Sequence, residues 1–201
     1  MSRLEEALRR LARDLADVAA RWAVIGGVAV SSRAEPRTTR DVDLAIAVDS
    51  DEEAEALVRT LLGRGYQPGE EGVLENLATK RLATVRLVAP GEEPEGIVVD
   101  LMFDSSCIEA ETIATATPLD VFPGLVLPVA SIAHLLALKL LAGRAQDIAD
   151  AAALLAVASA ADLDAARQAC ELIATRGCHR DRDLGSLLER LVGGLPIEVV
   201  G

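Results

Sequence analysis

Two aspartates separated by one residue stand in a segment that is otherwise apolar. Asp41 and Asp43 belong to the run DVDLAIAV (41–48), in which larger apolar residues alternate with Asp and Ala. This alternation is typical of a β-strand and places both carboxylates on one face, about 7 Å apart at Cα. A carboxylate in a buried strand costs several kcal/mol unless it is paired, protonated or bound to a cation. The pair therefore needs a physical reason, and a bound cation is one.

A third carboxylate interrupts another predicted strand. Asp100 lies in GIVVDLMF (96–103), where it points to the same side as Val98 and Met102. On a strand next to Asp41 and Asp43, it would complete a set of three. Such oxygen ligands suit Mg²⁺, which proteins typically hold with a few carboxylates and the phosphates of the substrate. The three aspartates predict a Mg²⁺ site for phosphoryl or nucleotidyl transfer.

A glycine pair follows the first short apolar run. Gly26 and Gly27 come directly after WAVI (22–25) and open a segment of small residues, which predicts a strand, a turn and a helix. Glycines at this position let backbone N–H groups approach phosphate oxygens closely. A glycine pair in a tight turn is also commonly structural. Both interpretations are open at this point.

The remaining pattern predicts a sheet-rich first part and a helical second part. Amphipathic or capped segments predict helices at about 3–20 and from Ser50 to Gly63, and LATVRLV (82–88) predicts a further strand. From about Pro128 onward the periodicity is helical, in the segments 131–143, 145–158, 162–177 and 184–194. We expect an α/β (α+β) fold with a sheet and its helices over 1–127 and a helical region over 128–201.

Composition and charge narrow the classes of function. The chain has 201 residues, of which 51% are hydrophobic, and a net charge of −12. The negative charge disfavours nonspecific adhesion to nucleic acid or anionic membranes, and it suits small-molecule and protein partners better. The N-terminal helix is unlike a signal peptide, and the apolar stretches fall short of the roughly 20 residues that span a membrane. We expect a cytoplasmic protein with no membrane partner.

The three cysteines show no pairing signal. Cys107, Cys170 and Cys178 are an odd number and lack C-x-x-C spacing. This pattern argues against a disulfide framework and against a closed zinc site. We expect reduced, structural cysteines.

These motifs together resemble a known superfamily. The Gly-Gly pair, the run RTTRDVDL (37–44) and a later carboxylate in a strand are similar to the polymerase-beta-like nucleotidyltransferases. Together with LLALKLLAGRAQDIADAAALL (135–155), they resemble the AbiEii-type nucleotidyltransferases, which include toxins of toxin–antitoxin pairs. The resemblance covers about residues 22–155 and implies a nucleotidyltransferase-type mixed sheet with flanking helices.

The resemblance also implies roles for individual residues. It places the triphosphate at the glycine pair, the metal at the three aspartates, and further site residues on two other motifs. The glycines are Gly26 and Gly27, the metal ligands are Asp41, Asp43 and Asp100, the R-x-T-x-D lead-in is Arg37, Thr39 and Asp41, and the helical K…R…D..D element is Lys139, Arg144, Asp147 and Asp150. In that element the family's lysine contacts nucleotide phosphate.

The helical element can be interpreted in more than one way from its residues alone. Lys139 lies in an apolar helix, where a buried ammonium needs an anion such as a triphosphate, or else extends to the surface at the domain edge. Asp147 and Asp150 could orient Lys139 or Arg144, with Asp147 as a catalytic base, or they could form a solvated acidic face. A set of basic residues is either a rim around the carboxylates or surface scatter: Arg33, Arg37, Arg40, Lys80, Arg81 and Arg86.

The favoured hypothesis is a Mg²⁺-dependent enzyme that moves a nucleoside monophosphate from an NTP to an acceptor hydroxyl. An RNA 3′ end, a protein side chain or an aminoglycoside-like small molecule could be the acceptor, and a toxin role implies an antitoxin protein. The alternative is a non-catalytic nucleotide-binding or interaction module on the same fold. The three carboxylates favour the enzyme, because a binding module does not need a metal triad.

Overall fold

The computed structural model describes residues 2–76, 79–91 and 96–200. Within these residues the chain forms seven strands and eight helices. The strands are β1 Arg21–Ile25, β2 Val42–Ala47, β3 Gln67–Glu75, β4 Leu82–Val88, β5 Val98–Met102, β6 Thr117–Phe122 and β7 Leu125–Val129. The helices are α1 Arg3–Asp17, α2 Gly26–Arg33, α3 Asp51–Gly63, α4 Glu109–Ala114, α5 Ile132–Ala142, α6 Ala145–Val157, α7 Ala160–Thr175 and α8 Leu184–Val192.

All seven strands belong to one mixed sheet. Their order is β3-β4-β5-β2-β1-β7-β6, so β5, β2 and β1 lie near its centre. The pairs β2–β5 and β1–β7 are parallel, and the other neighbouring pairs are antiparallel. The predicted α/β class, a mixed sheet with flanking helices, is confirmed.

The central strands are buried because helices cover the sheet. In β2, Val42, Leu44, Ala45 and Ile46 are all buried, so apolar side chains face the interior on both sides of the strand. Helices α2 and α4 contact both β1 and β2, and α5 packs against α2, α6, α7 and α8. Asp43 is the polar interruption in this otherwise apolar strand.

The helix signals in the sequence correspond to real helices. Leu8, Leu11 and Leu15 repeat at helical spacing on α1 and are fully buried, which stabilises the fold by about 1.5–3 kcal/mol per side chain. Ser50 caps α3 by accepting a hydrogen bond from the backbone N–H of Glu53. The four helices predicted after Pro128 are α5 to α8. No helix in the described ranges has the length and hydropathy needed to cross a membrane.

The structure adds a hairpin near the middle of the chain. β6 and β7 pair antiparallel around Pro123 and Gly124, and β7 extends the sheet beside β1. β7 continues to Val129, so the sheet extends past the predicted boundary between residues 127 and 128. Because α5 and α6 pack on α2, the helices of the second part contact the first part through α2.

The prediction of three reduced cysteines is wrong for two of them. Cys107 and Cys178 form a disulfide, with their Cα atoms 6.2 Å apart, while Cys170 is free and buried. The two partners are separated by 71 residues along the chain, so no local spacing could indicate the pair. The fold brings together the segment after β5 and the turn between α7 and α8.

A thiol titration tests this pairing. Protein unfolded without reductant should show one thiol per chain, Cys170, and three after reduction. In the native state that thiol should react slowly, because burial raises the pKa of Cys170 to about 11. The variant Cys170→Ala should give no thiol before reduction and two after it. Three thiols in the unreduced wild type would contradict the disulfide.

Reduction should lower the free energy of unfolding by about 4 kcal/mol, as expected for a closed loop of this length.

Candidate functional site

Two of the three predicted aspartates lie side by side at the centre of the sheet. Asp43 on β2 is in register with Asp100 on the parallel strand β5, and with Ile25 on β1 at its other side. Residues in register on neighbouring strands point to the same face and are separated by about 5 Å. The structure therefore brings Asp43 and Asp100 together beside the end of β1.

The glycine pair lies directly against Asp43. Helix α2 begins at Gly26, which has a left-handed backbone conformation with φ of +61°. A Cβ atom at Gly26 would overlap the carboxylate of Asp43, so no other residue fits there. The backbone N–H of Gly27 donates a hydrogen bond to Asp43. The start of α2 therefore directs an N–H group at this carboxylate.

Gly27 faces the segment that precedes β2. A Cβ atom on Gly27 would lie 2.6 Å from Thr39 Oγ1 and 2.9 Å from Arg37 Nη2. Both distances are shorter than a normal contact, so the absence of a side chain at Gly27 lets this segment pack on α2. The structure thus places Arg37 and Thr39 beside the glycine pair, and their role in binding a nucleotide stays a prediction.

Asp41 occupies a different environment from the one expected. β2 begins at Val42, so Asp41 precedes the strand and is exposed to solvent. The expectation that Asp41 and Asp43 both lie within the strand is wrong, because pairing with β1 and β5 starts one residue later. Asp41 remains close enough for its charge to act on Asp43.

The electrostatic environment of Asp43 disfavours its ionised form. Burial raises the pKa of Asp43, and the negative charges of Asp100 and Asp41 raise it further. Lys139 and the N–H of Gly27 lower this pKa but do not outweigh those effects. The carboxylates repel one another at this point, so a positive charge placed there would be stabilised.

Asp100 has a guanidinium partner. Arg86 lies opposite Asp100 on β4, and its Nε and Nη2 atoms donate to the two carboxylate oxygens, each at 2.8 Å. Asp100 is only 7% exposed.

Across residues 2–76, 79–91 and 96–200, no three His, Cys, Asp or Glu side chains are grouped closely enough to hold a metal ion. The assignment of Asp41, Asp43 and Asp100 as metal ligands stays a prediction.

The helical K…R…D..D element forms a buried ion network. Lys139 on α5 is 7% exposed, and its Nζ lies 2.8 Å from Asp147 and 2.9 Å from Asp150 on α6. Arg37 donates to both oxygens of Asp150, at 2.6 and 2.7 Å. Arg144 donates from Nε to Asp147 at 2.7 Å. Because Lys139 is buried and both aspartates are nearly inaccessible, the interpretations as a surface lysine and as a solvated acidic face are wrong.

The two aspartates of this network are held ionised. Burial by itself would raise the pKa of Asp147 and of Asp150. Hydrogen bonds from Arg144 and Lys139 outweigh burial at Asp147, and those from Arg37, Lys139 and Gln146 do so at Asp150, so both pKa values are lowered. The anion that Lys139 needs is thus supplied by the chain itself.

A small cleft brings five of the predicted site residues together, namely Gly26, Asp43, Lys139, Arg144 and Asp147. It encloses about 100 Å³, which is less than the roughly 300 Å³ from which ligand pockets typically start, so only part of a nucleotide fits inside. Its lining combines predicted site residues with an apolar wall and with three polar residues that the sequence did not indicate. The lining residues are Ile25, Gly26, Asp43, Met102, Ser105, Ser106, Leu135, Leu138, Lys139, Leu141, Ala142, Arg144, Asp147 and Arg180.

The polar residues missed by the sequence analysis are Ser105, Ser106 and Arg180. A signal existed for the serines, because they follow directly after the strand that carries Asp100, where ligand-binding loops are common. Arg180 had none, since it lies in a polar turn 80 residues further along the chain.

Two of the six basic residues considered for a rim around the carboxylates have partners elsewhere in the chain. Arg33 donates to the carbonyl groups of Val129 and Ala130, and Arg81 pairs with Asp51. Arg37 belongs to the ion network described above. Arg86 forms an ion pair with Asp100, a predicted metal ligand. Among the residues that the structure describes, none of the other five basic residues pairs with Asp41, Asp43 or Asp100.

Comparison with known proteins bears on the fold and the family of the chain. None of the curated proteins matches the chain. Among solved structures, the chain is similar to an antigenic nucleotidyltransferase-like protein from Paracoccidioides brasiliensis, with a TM-score of 0.50 and 20% sequence identity over 93% of this chain and 91% of that one. At this identity the likeness shows the fold alone.

The family model described as nucleotidyl transferase AbiEii toxin, Type IV TA system, matches residues 7–197. The match includes the glycine pair, the three aspartates and the buried ion network. It extends beyond the region of about 22–155 in which the sequence motifs lie. The chain belongs to the AbiEii nucleotidyltransferase toxin family.

Proposed function

We propose that this protein transfers a nucleoside monophosphate from a Mg²⁺-bound NTP to an acceptor hydroxyl. The observation that carries the proposal is the register of Asp43 with Asp100 beside the start of α2. This arrangement supports the proposal because carboxylate oxygens, which suit a cation, lie next to backbone N–H groups, which suit phosphate.

The donor set fits a divalent cation in its chemistry and charge, but its carboxylates would have to move closer together, because among the described residues no three His, Cys, Asp or Glu side chains are grouped closely enough to hold a metal ion. Asp43, with Asp100 and Asp41, would hold Mg²⁺. Burial raises the pKa of Asp43, and the charges of Asp100 and Asp41 raise it further through a repulsion that a cation would remove. When bound, Mg²⁺ supplies charge neutralisation of the phosphates and activation of the acceptor hydroxyl. Arg86 would then have to share or release the carboxylate of Asp100.

The chain's own cations and N–H groups would bind the phosphates. The first N–H groups of α2 have no partner within the helix, and Ile25 at the N-cap provides no side-chain cap. Lys139 has three N–H donors, of which Asp147 and Asp150 take two, and it lines the cleft. Arg144 lines the same cleft, and its side chain is 74% exposed.

One observation favours a second candidate, the non-catalytic nucleotide-binding module. Asp100 is already neutralised by Arg86, so its charge balance does not require a metal ion. Such a module would bind an NTP without transferring any part of it. Binding and transfer measured on the same sample separate the two candidates.

The acceptor and the partner are also proposals. The family is described as a toxin of Type IV toxin–antitoxin systems, so we propose a toxin role with a cognate antitoxin protein. For the acceptor hydroxyl we propose an RNA 3′ end, a protein side chain or a small molecule.

Incubation with radiolabelled NTPs tests the enzymatic function. Each α-labelled NTP is mixed with Mg²⁺ and with total RNA, protein extract or a panel of hydroxyl-bearing small molecules. We expect label in one acceptor class and release of pyrophosphate. Saturable NTP binding with no labelled product in any arm would favour the binding module, and the absence of both would contradict the proposed function.

Asp43→Asn should abolish transfer and raise the melting temperature at pH 7. The substitution keeps the shape and removes a charge that is unfavourable without a cation. Transfer should fall by more than about a hundredfold, since even groups that only support a metal ligand contribute about 10–100-fold. Mg²⁺ should raise the melting temperature of the wild type and not that of the variant.

The matched control is Asp49→Asn, because Asp49 forms a surface ion pair. Normal transfer by Asp43→Asn would contradict the metal assignment.

The stability gain of Asp43→Asn should depend on pH. Because the pKa of Asp43 is raised in the folded state, folding binds a proton between the unfolded and the folded pKa. The contribution of Asp43 to stability is therefore largest below its unfolded pKa and is lost as pH rises through the folded one. Melting temperatures of both proteins, measured without Mg²⁺ from pH 4 to 8, should diverge as pH rises. Parallel curves would contradict this electrostatic account.

Variants of Lys139 and Arg144 should have different effects: the Lys139 variant should lower stability, and the Arg144 variant should weaken NTP binding. Lys139→Met leaves two buried carboxylates short of a cation and should cost about 3–5 kcal/mol of unfolding free energy in urea titrations. Arg144→Ala should cost about 1 kcal/mol or less because the side chain is exposed, while it raises the KM for NTP. Full stability of Lys139→Met, or an unchanged KM in Arg144→Ala, would contradict the respective role.

A further inference from the structure

Arg180 enters the cleft from the turn between α7 and α8. It lines the cleft together with Gly26, Asp43 and Arg144. Its Nη2 atom donates to the carbonyl oxygen of Ser105 at 2.8 Å and to the hydroxyl of the same residue at 3.0 Å. A guanidinium has five N–H donors in a planar fork, so these two bonds fix the side chain without using all of its donors.

Arg180 differs from the other cations of the cleft in its charge balance. Lys139 and Arg144 each form an ion pair with Asp147. Within the described ranges, no carboxylate lies at ion-pair distance from Arg180. Burial lowers the pKa of Arg180, and the charge of Glu109 offsets this only in part. The carboxylate of Glu109 accepts hydrogen bonds from the N–H and hydroxyl of Ser106. The guanidinium of Arg180 therefore has its positive charge available to bind an anionic ligand.

The turn that carries Arg180 is fastened to the segment after β5. The disulfide joins Cys107 to Cys178, two residues before Arg180. Arg176 donates to the carbonyl of Cys107 and pairs with Glu111 at 2.5 Å. Arg180 itself has a φ of +52°, a conformation that a residue with a side chain adopts only when its surroundings impose it. The side chain is therefore placed by the fold.

Arg180 also stands at the junction of two cavities. Ser105 and Arg180 line both the small cleft and a larger groove of about 670 Å³ that runs along Asn76 and His179. A phosphate at this junction would lie beside the cleft that holds Asp43. The rest of a nucleotide or an acceptor could continue into the groove, which is large enough for it.

We propose that Arg180 binds a phosphate group of the nucleotide, and that the Cys107–Cys178 disulfide is the positioning element for it. The inference rests on the proposed function. A guanidinium fork matches two phosphate oxygens, which a lysine at the same position cannot reproduce.

Binding of inorganic tripolyphosphate and of each Mg²⁺–NTP tests this assignment by calorimetry. Arg180→Ala should weaken the binding of both probes about tenfold, and Arg180→Lys should restore only part of the loss. Ala carries about the same backbone penalty as Arg at a positive φ, so the melting temperature should change little. The control is Arg21→Ala, which removes the same charge at the opposite end of β1 and should leave binding unchanged.

The disulfide is tested by the double variant Cys107→Ser/Cys178→Ser, at a temperature where it remains folded. Its affinity for tripolyphosphate should fall, and adding Arg180→Ala should cause less further loss than in the wild type. An Arg180→Ala variant that binds both probes like the wild type would overturn the inference and leave the proposed function standing. Failure of the wild type to bind any Mg²⁺–NTP would instead contradict the proposed function. A double variant with wild-type affinity would overturn the positioning role.

Discussion

The buried carboxylate of Asp150 holds two distant parts of the chain against each other. It accepts hydrogen bonds from Lys139 on α5 and from Arg37 in the segment before β2. That segment in turn packs Thr39 on Gly27 and leads into β2. Burying charges costs several kcal/mol per ion, and such a network is strongly destabilised when one partner is lost. The position of α5 and α6 against α2 is therefore coupled to the position of the segment that contains Asp41 and leads into β2.

The carboxylates of the site are compensated in different ways. Asp100 has a bidentate partner in Arg86, and Asp147 and Asp150 have Lys139 between them. Asp43 receives a backbone N–H but lies among other negative charges, and its raised pKa reflects this. Charge compensation is thus weakest at the residue that faces the start of α2. In the proposed function, this imbalance would favour a cation at Asp43 and anions at the helix start and at the exposed arginines.

The sequence predicted those features that depend on local periodicity. Alternation in 41–48 identified β2, and apolar spacing identified α5 to α8. The hairpin β6–β7 carried a Pro-Gly turn signal at Pro123 and Gly124 that the sequence analysis did not use. The sequence offered Asp147 and Asp150 as partners of Lys139 or Arg144, but the choice between this and a solvated acidic face depends on how α5 turns into α6 at Gly143, whose φ is +69°. The disulfide and the position of Arg180 in the cleft arise from contacts between segments that are far apart in the sequence. No local sequence pattern could therefore predict them.

The two interpretations of the glycine pair, structural turn and phosphate site, turn out to be compatible. Gly26 is required because a side chain would overlap Asp43, and Gly27 because Arg37 and Thr39 pack against it. Both requirements come from the protein's own side chains and would hold without any ligand. The same packing starts α2 directly at the end of β1, which leaves the N–H groups of its first turn beside the carboxylates. Phosphate binding would then use a geometry that the fold already requires, so a glycine substitution would change folding and phosphate binding together.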